Sequence, residues 1–127
     1  MAKVTGIGGV FFKSPDPEKL KKWYKEHLGI DYDQYGRVFK WQDGQPDGKG
    51  STTWCPFVGN TKYFSPSDHD YMINYRVDDL IELLGELDKK GIKQVGEMED
   101  YPYGKFAWIM DPEGRKIELW EPIDDQL

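Results

Sequence analysis

Gly104-Lys105-Phe106-Ala107-Trp108-Ile109-Met110, Asp111-Pro112-Glu113-Gly114 and Arg115-Lys116-Ile117-Glu118-Leu119-Trp120-Glu121 are the three consecutive runs that decide how this chain folds. The first and third alternate with a period of two, as half-buried strands do. The middle run fits a type I turn: Asp111 suits the first position, Pro112 presets φ at the second, and Gly114 suits the fourth. The stretch is therefore a predicted hairpin. In its closing strand Ile117 and Leu119 form an apolar face, while Glu118 and Trp120 share the other. A carboxylate on the same face as an indole, between two aliphatics, is aimed at something that the rest of the chain must supply.

Working back from the hairpin, the segments before it repeat one pattern. Tyr71 to Val77 alternates as a strand, with Ile73, Tyr75 and Val77 on one face and Met72, Asn74 and Arg76 on the other. Asp78-Asp79 then open a helix through Leu80, Leu83, Leu84 and Leu87, with Lys89-Lys90 in its last turn and Gly91 stopping it. Ile92 to Val95 and Glu97 to Asp100 read as short strands before the hairpin.

The first half is built alike. Val4 to Lys13 is a predicted strand, and Asp16 caps a helix that has Pro17 at its first position. Leu20, Trp23, Tyr24, His27 and Leu28 recur at helical spacing, and Gly29 ends the helix. Ile30 to Tyr35, Arg37 to Gln42 and Ser51 to Phe57 follow as strands, with a loop over Asp43 to Gly50. Val58 to Asp70 is polar and turn-rich, and reads as a linker. Asp16 and Asp78 stand 62 positions apart, and Gly-Ile follows each helix. Two copies exclude a solenoid and favour paired α+β modules.

Composition narrows the function classes. At 127 residues the chain suits one domain that buries roughly two-thirds of its unfolded surface. Aromatics reach 15%, with five Trp and eight Tyr, more ring surface than a minimal core needs. A net charge of −6 argues against nucleic acid or an anionic membrane as partner. No apolar run approaches the roughly 18 residues of a membrane span, and the N-terminus lacks a signal-peptide pattern. The single cysteine, Cys55, fits a reducing compartment, so a cytoplasmic location is expected.

On three segments the chain resembles the glyoxalase, bleomycin-resistance and extradiol dioxygenase superfamily, the vicinal oxygen chelate group. They are Gly6 to Gly29, Met72-Ile73-Asn74-Tyr75-Arg76-Val77-Asp78-Asp79-Leu80, and Asp111-Pro112-Glu113-Gly114 followed by Ile117-Glu118-Leu119. The resemblance implies an α+β fold of two βαβββ modules, a curled mixed sheet around a pocket with the helices outside. Module one spans about 4–57, the linker 58–70 and module two about 71–122, all within a single domain over 1–127. It also implies a homodimer.

In the family's metal-using members, two His and one or two Glu hold a divalent ion in that pocket. Glu118 matches the C-terminal glutamate ligand, but Gly9 and Met72 stand at the two histidine positions, and the fourth falls near Cys55. Glycine offers no ligand, and a thioether is too soft for Zn, Mg, Mn or Fe(II). One carboxylate does not hold a divalent ion against water. Neither metal nor cofactor is therefore expected, and chemistry that needs Lewis-acid activation falls with the metal.

Two readings of the site follow. Glu118 is a base or hydrogen-bond acceptor toward a ligand, or an inherited carboxylate paired with Arg76 or Lys105. Phe11, Trp54, Cys55, Met72, Asn74, Trp108 and Trp120 are the expected ligand-facing set, an adaptable apolar wall if they leave space and a filled core if they do not. Cys55 lacks a His partner and reads as a packing cysteine. His69 lies in the polar Asp68-His69-Asp70 loop, and His27 suits the C-terminal turn of its helix. The favoured function is metal-free binding of a small aromatic or hydrophobic molecule. The alternative is a lyase or isomerase similar to lactoylglutathione lyase, with Glu118 as base or metal ligand.

Overall fold

The computed structural model describes residues 2–41 and 49–124. In chain order its elements are β1 (Val4–Ser14), α1 (Pro17–Leu28), β2 (Arg37–Lys40), β3 (Ser51–Val58), β4 (Tyr71–Val77), α2 (Leu80–Lys89), β5 (Glu99–Tyr101), β6 (Gly104–Met110) and β7 (Lys116–Pro122). The seven strands form one mixed sheet in the order β2-β3-β1-β4-β7-β6-β5, an open α+β arrangement with β2 and β5 at its edges. Strands β1 and β3 are parallel, as are β4 and β7, and the crossover within each pair carries a helix followed by further strands. The two halves meet where β1 runs antiparallel to β4, so the two first strands sit at the centre.

The helix signals in the sequence are realised with one shift. The Asp16 side chain accepts the Lys19 N–H at 3.1 Å, Pro17 opens α1, and Gly29 closes it at φ 71°. At α2 the capping residue is Asp79, whose carboxylate accepts the Glu82 N–H at 3.1 Å. Asp78 instead accepts the Lys3 N–H at 2.8 Å and ties the two halves together. The Glu121 carboxylate of β7 accepts the Leu80 N–H at 2.8 Å, adding an acceptor where the helix exposes donors.

Three expected strands differ. Ile30 to Tyr35 is not a strand: Asp33 and Gly36 exchange backbone hydrogen bonds of 2.9 and 3.1 Å, and the Asp33 carboxylate accepts the Tyr35 N–H. A local side-chain acceptor there competes with ladder pairing. Ile92 to Val95 is also irregular, lying between Gly91 and Gly96 at φ 82° and 75°, and its Val95 N–H alone reaches the Trp108 carbonyl. The short strand expected at Glu97 to Asp100 lies at Glu99–Tyr101. The far end of the expected 37–42 strand and most of the 43–50 loop lie outside the described residues.

Alternation divides the packing between the two faces of the sheet. On one face Val77, Ala107, Ile109 and Leu119 bury against Leu80 of α2, with Leu83, Leu84 and Leu87 packed around them. Leu80 is wholly buried, and a methylene-rich side chain in that position stabilises the fold by about 1.5–3 kcal/mol. On the other face Phe11, Met72 and Trp108 cluster with Phe64, which the 59–70 segment folds back over the sheet. That second face holds Glu118.

Candidate functional site

Glu118 is 2% exposed and sits where three strands and one loop converge. Register explains two of its neighbours. Asn74 is its partner on parallel β4, and Trp108 its partner on antiparallel β6. The Asn74 Nδ2 amide donates to Oε1 at 2.6 Å, and the Trp108 indole Nε1–H donates to Oε2 at 2.9 Å. The third donor is the Tyr63 phenol, which also donates to Oε2. It arrives from the linker, 55 residues away in sequence.

Several contacts hold Tyr63 in place. Its ring stacks on Phe57 at 5.7 Å and meets Trp108 edge-on at 6.1 Å. The Lys116 ammonium donates to the Tyr63 carbonyl at 2.7 Å and lies over the Tyr63 and Trp108 rings at 5.3 and 5.5 Å. Burial lowers the pKa of Lys116 from its ordinary value, with the Glu118 charge acting in the opposite direction. Burial first, and the Glu118 carboxylate second, raise the Tyr63 phenol well above the usual value for tyrosine. The phenol therefore stays neutral and donating while ordinary tyrosines ionise near pH 10. A spectrophotometric titration at 295 nm between about pH 9 and pH 11 should give the same tyrosinate step for Tyr63→Phe as for the parent chain. A step smaller by one tyrosine in the variant would show that Tyr63 ionises normally.

Beside this cluster opens a cleft of about 480 Å³, with Thr53, Asn74 and Glu118 among its lining residues. Its walls are mainly rings: Phe11, Tyr35, Tyr103, Phe106 and Trp120. Trp120 stacks flat on Phe106 at 5.7 Å and 7°. Behind it the Arg76 guanidinium lies between Trp120 and Trp41, 5.3 and 5.1 Å from their rings, and pairs with Asp124 at 2.5 Å. Of the two cations considered as partners of Glu118, Arg76 is thus committed to Asp124, and Lys105 pairs with Glu121 at 3.5 Å.

Gly8 shapes the cleft. The β1–β4 register slips between Ile7 and Gly9, and that bulge turns Gly8 toward the site. A Cβ at Gly8 would stand 2.2 Å from Asn74 Oδ1 and 3.0 Å from the Trp120 ring, so only glycine allows this approach. Asn74 Oδ1 itself is buried and has no hydrogen-bond partner.

The expected ligand-facing residues divide into groups. Phe11, Asn74 and Trp120 line the cleft, and Trp108 stands directly behind Glu118. Trp54 does not face the cleft. Its ring packs on Tyr24 of α1 at 4.9 Å and on Phe12 at 5.9 Å, because β3 turns Thr53 and Cys55 inward instead. Met72 is buried among Phe11, Phe64 and Trp108, two residues along from the position that meets Glu118. Gly8 and Asn74 line the cleft with Glu118; Asn74 is its partner on β4, and Gly9 lies opposite Asn74 on the β1–β4 ladder. Cys55 lines an adjoining hollow with Tyr35, Thr53 and Phe57, and burial raises its thiol pKa, which does not suit a nucleophile.

The remaining sequence candidates lie elsewhere. His69 packs against Tyr71 at 5.7 Å, and His27 against Trp23 at 4.8 Å. The periodicities missed Gly8, Tyr35, Tyr63, Tyr103 and Phe106. For Tyr63 the available signal was a Tyr-Phe pair inside an otherwise polar linker.

The donor set does not fit a divalent ion. Around Glu118 stand an amide, a phenol, an indole and a glycine, and the three N–H or O–H groups all donate to the carboxylate. Among the described residues no three His, Cys, Asp or Glu side chains are grouped so that they could hold a metal ion.

Comparisons with known proteins agree on the architecture. The model of the Glyoxalase/Bleomycin resistance protein/Dioxygenase superfamily matches residues 6–119. A methylmalonyl-CoA epimerase solved with methylmalonyl-CoA and NH4+ superposes with a TM-score of 0.68 at 12% identity, covering 95% of this chain and 96% of that one. The methylmalonyl-CoA epimerase of Mycobacterium tuberculosis gives 0.61 at 20% identity, with 94% and 89% covered. A protein described as an NAD-dependent benzaldehyde dehydrogenase from Legionella pneumophila gives 0.59 at 15%, with 90% and 97% covered. These identities show a shared fold alone. No curated protein matches the chain.

Proposed function

The chain belongs to the Glyoxalase/Bleomycin resistance protein/Dioxygenase superfamily, and from that premise we propose that it is a small-molecule-binding protein whose cleft takes a flat aromatic or hydrophobic ligand without a divalent metal. The observation that carries this reading is the state of Glu118: three donors occupy its oxygens, beside an open cleft walled by rings. Rings of that kind supply a large apolar contact area with specific stacking geometry, and a few polar groups on the floor orient the ligand. The reading includes a homodimer, by analogy with the family, and a cytoplasmic location, supported by the lone cysteine. Among the described residues no helix is long and apolar enough to cross a membrane.

A titration with 2-naphthol, followed in a ¹H–¹⁵N correlation spectrum, tests the binding reading. The Trp120 indole and the Gly8 and Asn74 amide signals are expected to shift together and to saturate. Shifts scattered over the surface without saturation, or no shift at all, would sink it.

A second reading is favoured by one observation: two of the fold neighbours described above are methylmalonyl-CoA epimerases, one of them solved with methylmalonyl-CoA. In that reading Glu118 is the base of an isomerase or lyase, and a ligand entering the cleft draws it away from Tyr63. Solvent deuterium incorporation into a methylmalonyl thioester separates the two. The binding reading expects none above background, whereas incorporation that disappears in Glu118→Gln would establish the enzyme.

A further inference from the structure

Glu118 is the only charged side chain among the described residues that line the cleft. An ionised carboxylate accepts at about four lone-pair sites. Trp108 and Tyr63 take two on Oε2 and Asn74 takes one on Oε1, which leaves one acceptor site on Oε1. Because the carboxylate only accepts, the Asn74 NH2 must face it, and Oδ1 turns away toward the bare Cα of Gly8, buried and without a donor. The Thr53 hydroxyl can donate or accept. The floor therefore presents one unfilled acceptor, on Glu118 Oε1, and no cation among the described lining residues, and the walls present ring faces, which are electron-rich.

Resting on the binding reading above, we infer that the cleft selects an organic cation with N–H donors on a flat body, an amidinium or arylammonium, and rejects its anionic counterpart. An anion there meets a like charge in a desolvated site whose described lining holds no cation, the nearby Lys116 ammonium lying over the Tyr63 and Trp108 rings outside that lining. Arg76 does not relieve this, because its charge is held by Asp124 and covered by two indoles. A cation gains a charge-assisted hydrogen bond to Oε1 and ring faces for its charge. The net charge of −6 favours its approach at long range.

Benzamidine, benzamide and benzoate share one phenyl ring and differ in charge, so their dissociation constants near neutral pH test the inference. Benzamidine is expected to bind about tenfold or more tightly than benzoate, with benzamide between them. Glu118→Gln should shrink the benzamidine-to-benzoate ratio to within about threefold while benzamide still binds. Should that variant not fold, the order of the three probes on the parent chain decides the question. Benzoate binding as tightly as benzamidine, while 2-naphthol still shifts Trp120, overturns the cation inference and leaves the binding cleft standing. No saturable shift from any of the four compounds overturns both. A benzamidine preference that survives Glu118→Gln in full also overturns the inference.

Discussion

Replacing Glu118 with alanine should lower the free energy of unfolding by about 3–5 kcal/mol, measured by urea denaturation. The substitution removes one acceptor from three donors, the Tyr63 phenol, the Asn74 amide and the Trp108 indole, in a site that is 2% exposed. Each buried donor left without a partner costs about 1–3 kcal/mol, and water entering the vacated space offsets part of the sum. Glu118→Gln keeps the shape and one oxygen acceptor but turns an NH2 toward a donor, so it should recover roughly half of the loss. The ordering alanine, glutamine, parent is the informative result. A loss below about 1 kcal/mol for the alanine variant would mean that the hydrogen bonds at Glu118 are no better than its bonds to water.

Trp120→Ala should cost a similar amount, about 3–5 kcal/mol, and should also abolish saturable binding of 2-naphthol. Trp120 is a buried ring that stacks on Phe106 and covers one face of the Arg76 guanidinium. Truncation leaves a cavity that the surrounding sheet cannot collapse into, and it opens a buried cation to a poorly shaped void. Trp120→Phe keeps a ring in the stack and should recover most of the stability while weakening binding. If Trp120→Ala folds with near-parent stability and still binds 2-naphthol, the aromatic wall is not what holds the ligand.

Much of this site was legible from alternation. Glu118 and Trp120 share a face in the sequence and in the structure, and Asn74 was already on the face opposite Ile73 and Tyr75. What alternation cannot supply is register between distant strands, since a slip of one pair looks the same from one strand alone. Met72 and Asn74 have the same parity, and only the β4–β7 ladder places Asn74 beside Glu118. At β1 the period itself breaks. The bulge near Gly8 brings a second residue to the cleft face, where strict alternation would count only Gly9.

Trp54 and Cys55 are neighbours on β3 and face opposite ways, and the parallel pairing with β1 turns Thr53 and Cys55 toward the cleft side and Trp54 toward α1. Tyr63 lay beyond any periodic pattern. A polar linker gives no periodic signal, and the contact it makes spans 55 residues. The mixed α+β sheet of two repeated halves followed from caps and repeats, which are local. The composition of the cleft did not, because its rings are brought together from three strands and two turns that are distant in sequence.

The central claim is that Glu118 serves as a hydrogen-bonded carboxylate in a ligand cleft and not as a metal ligand. Elemental analysis of protein purified without chelator, run beside Glu118→Gln, tests it most directly. The expected result is no stoichiometric Zn, Ni, Mn or Fe in either protein. Close to one metal ion per chain in the parent, lost in Glu118→Gln, would contradict it.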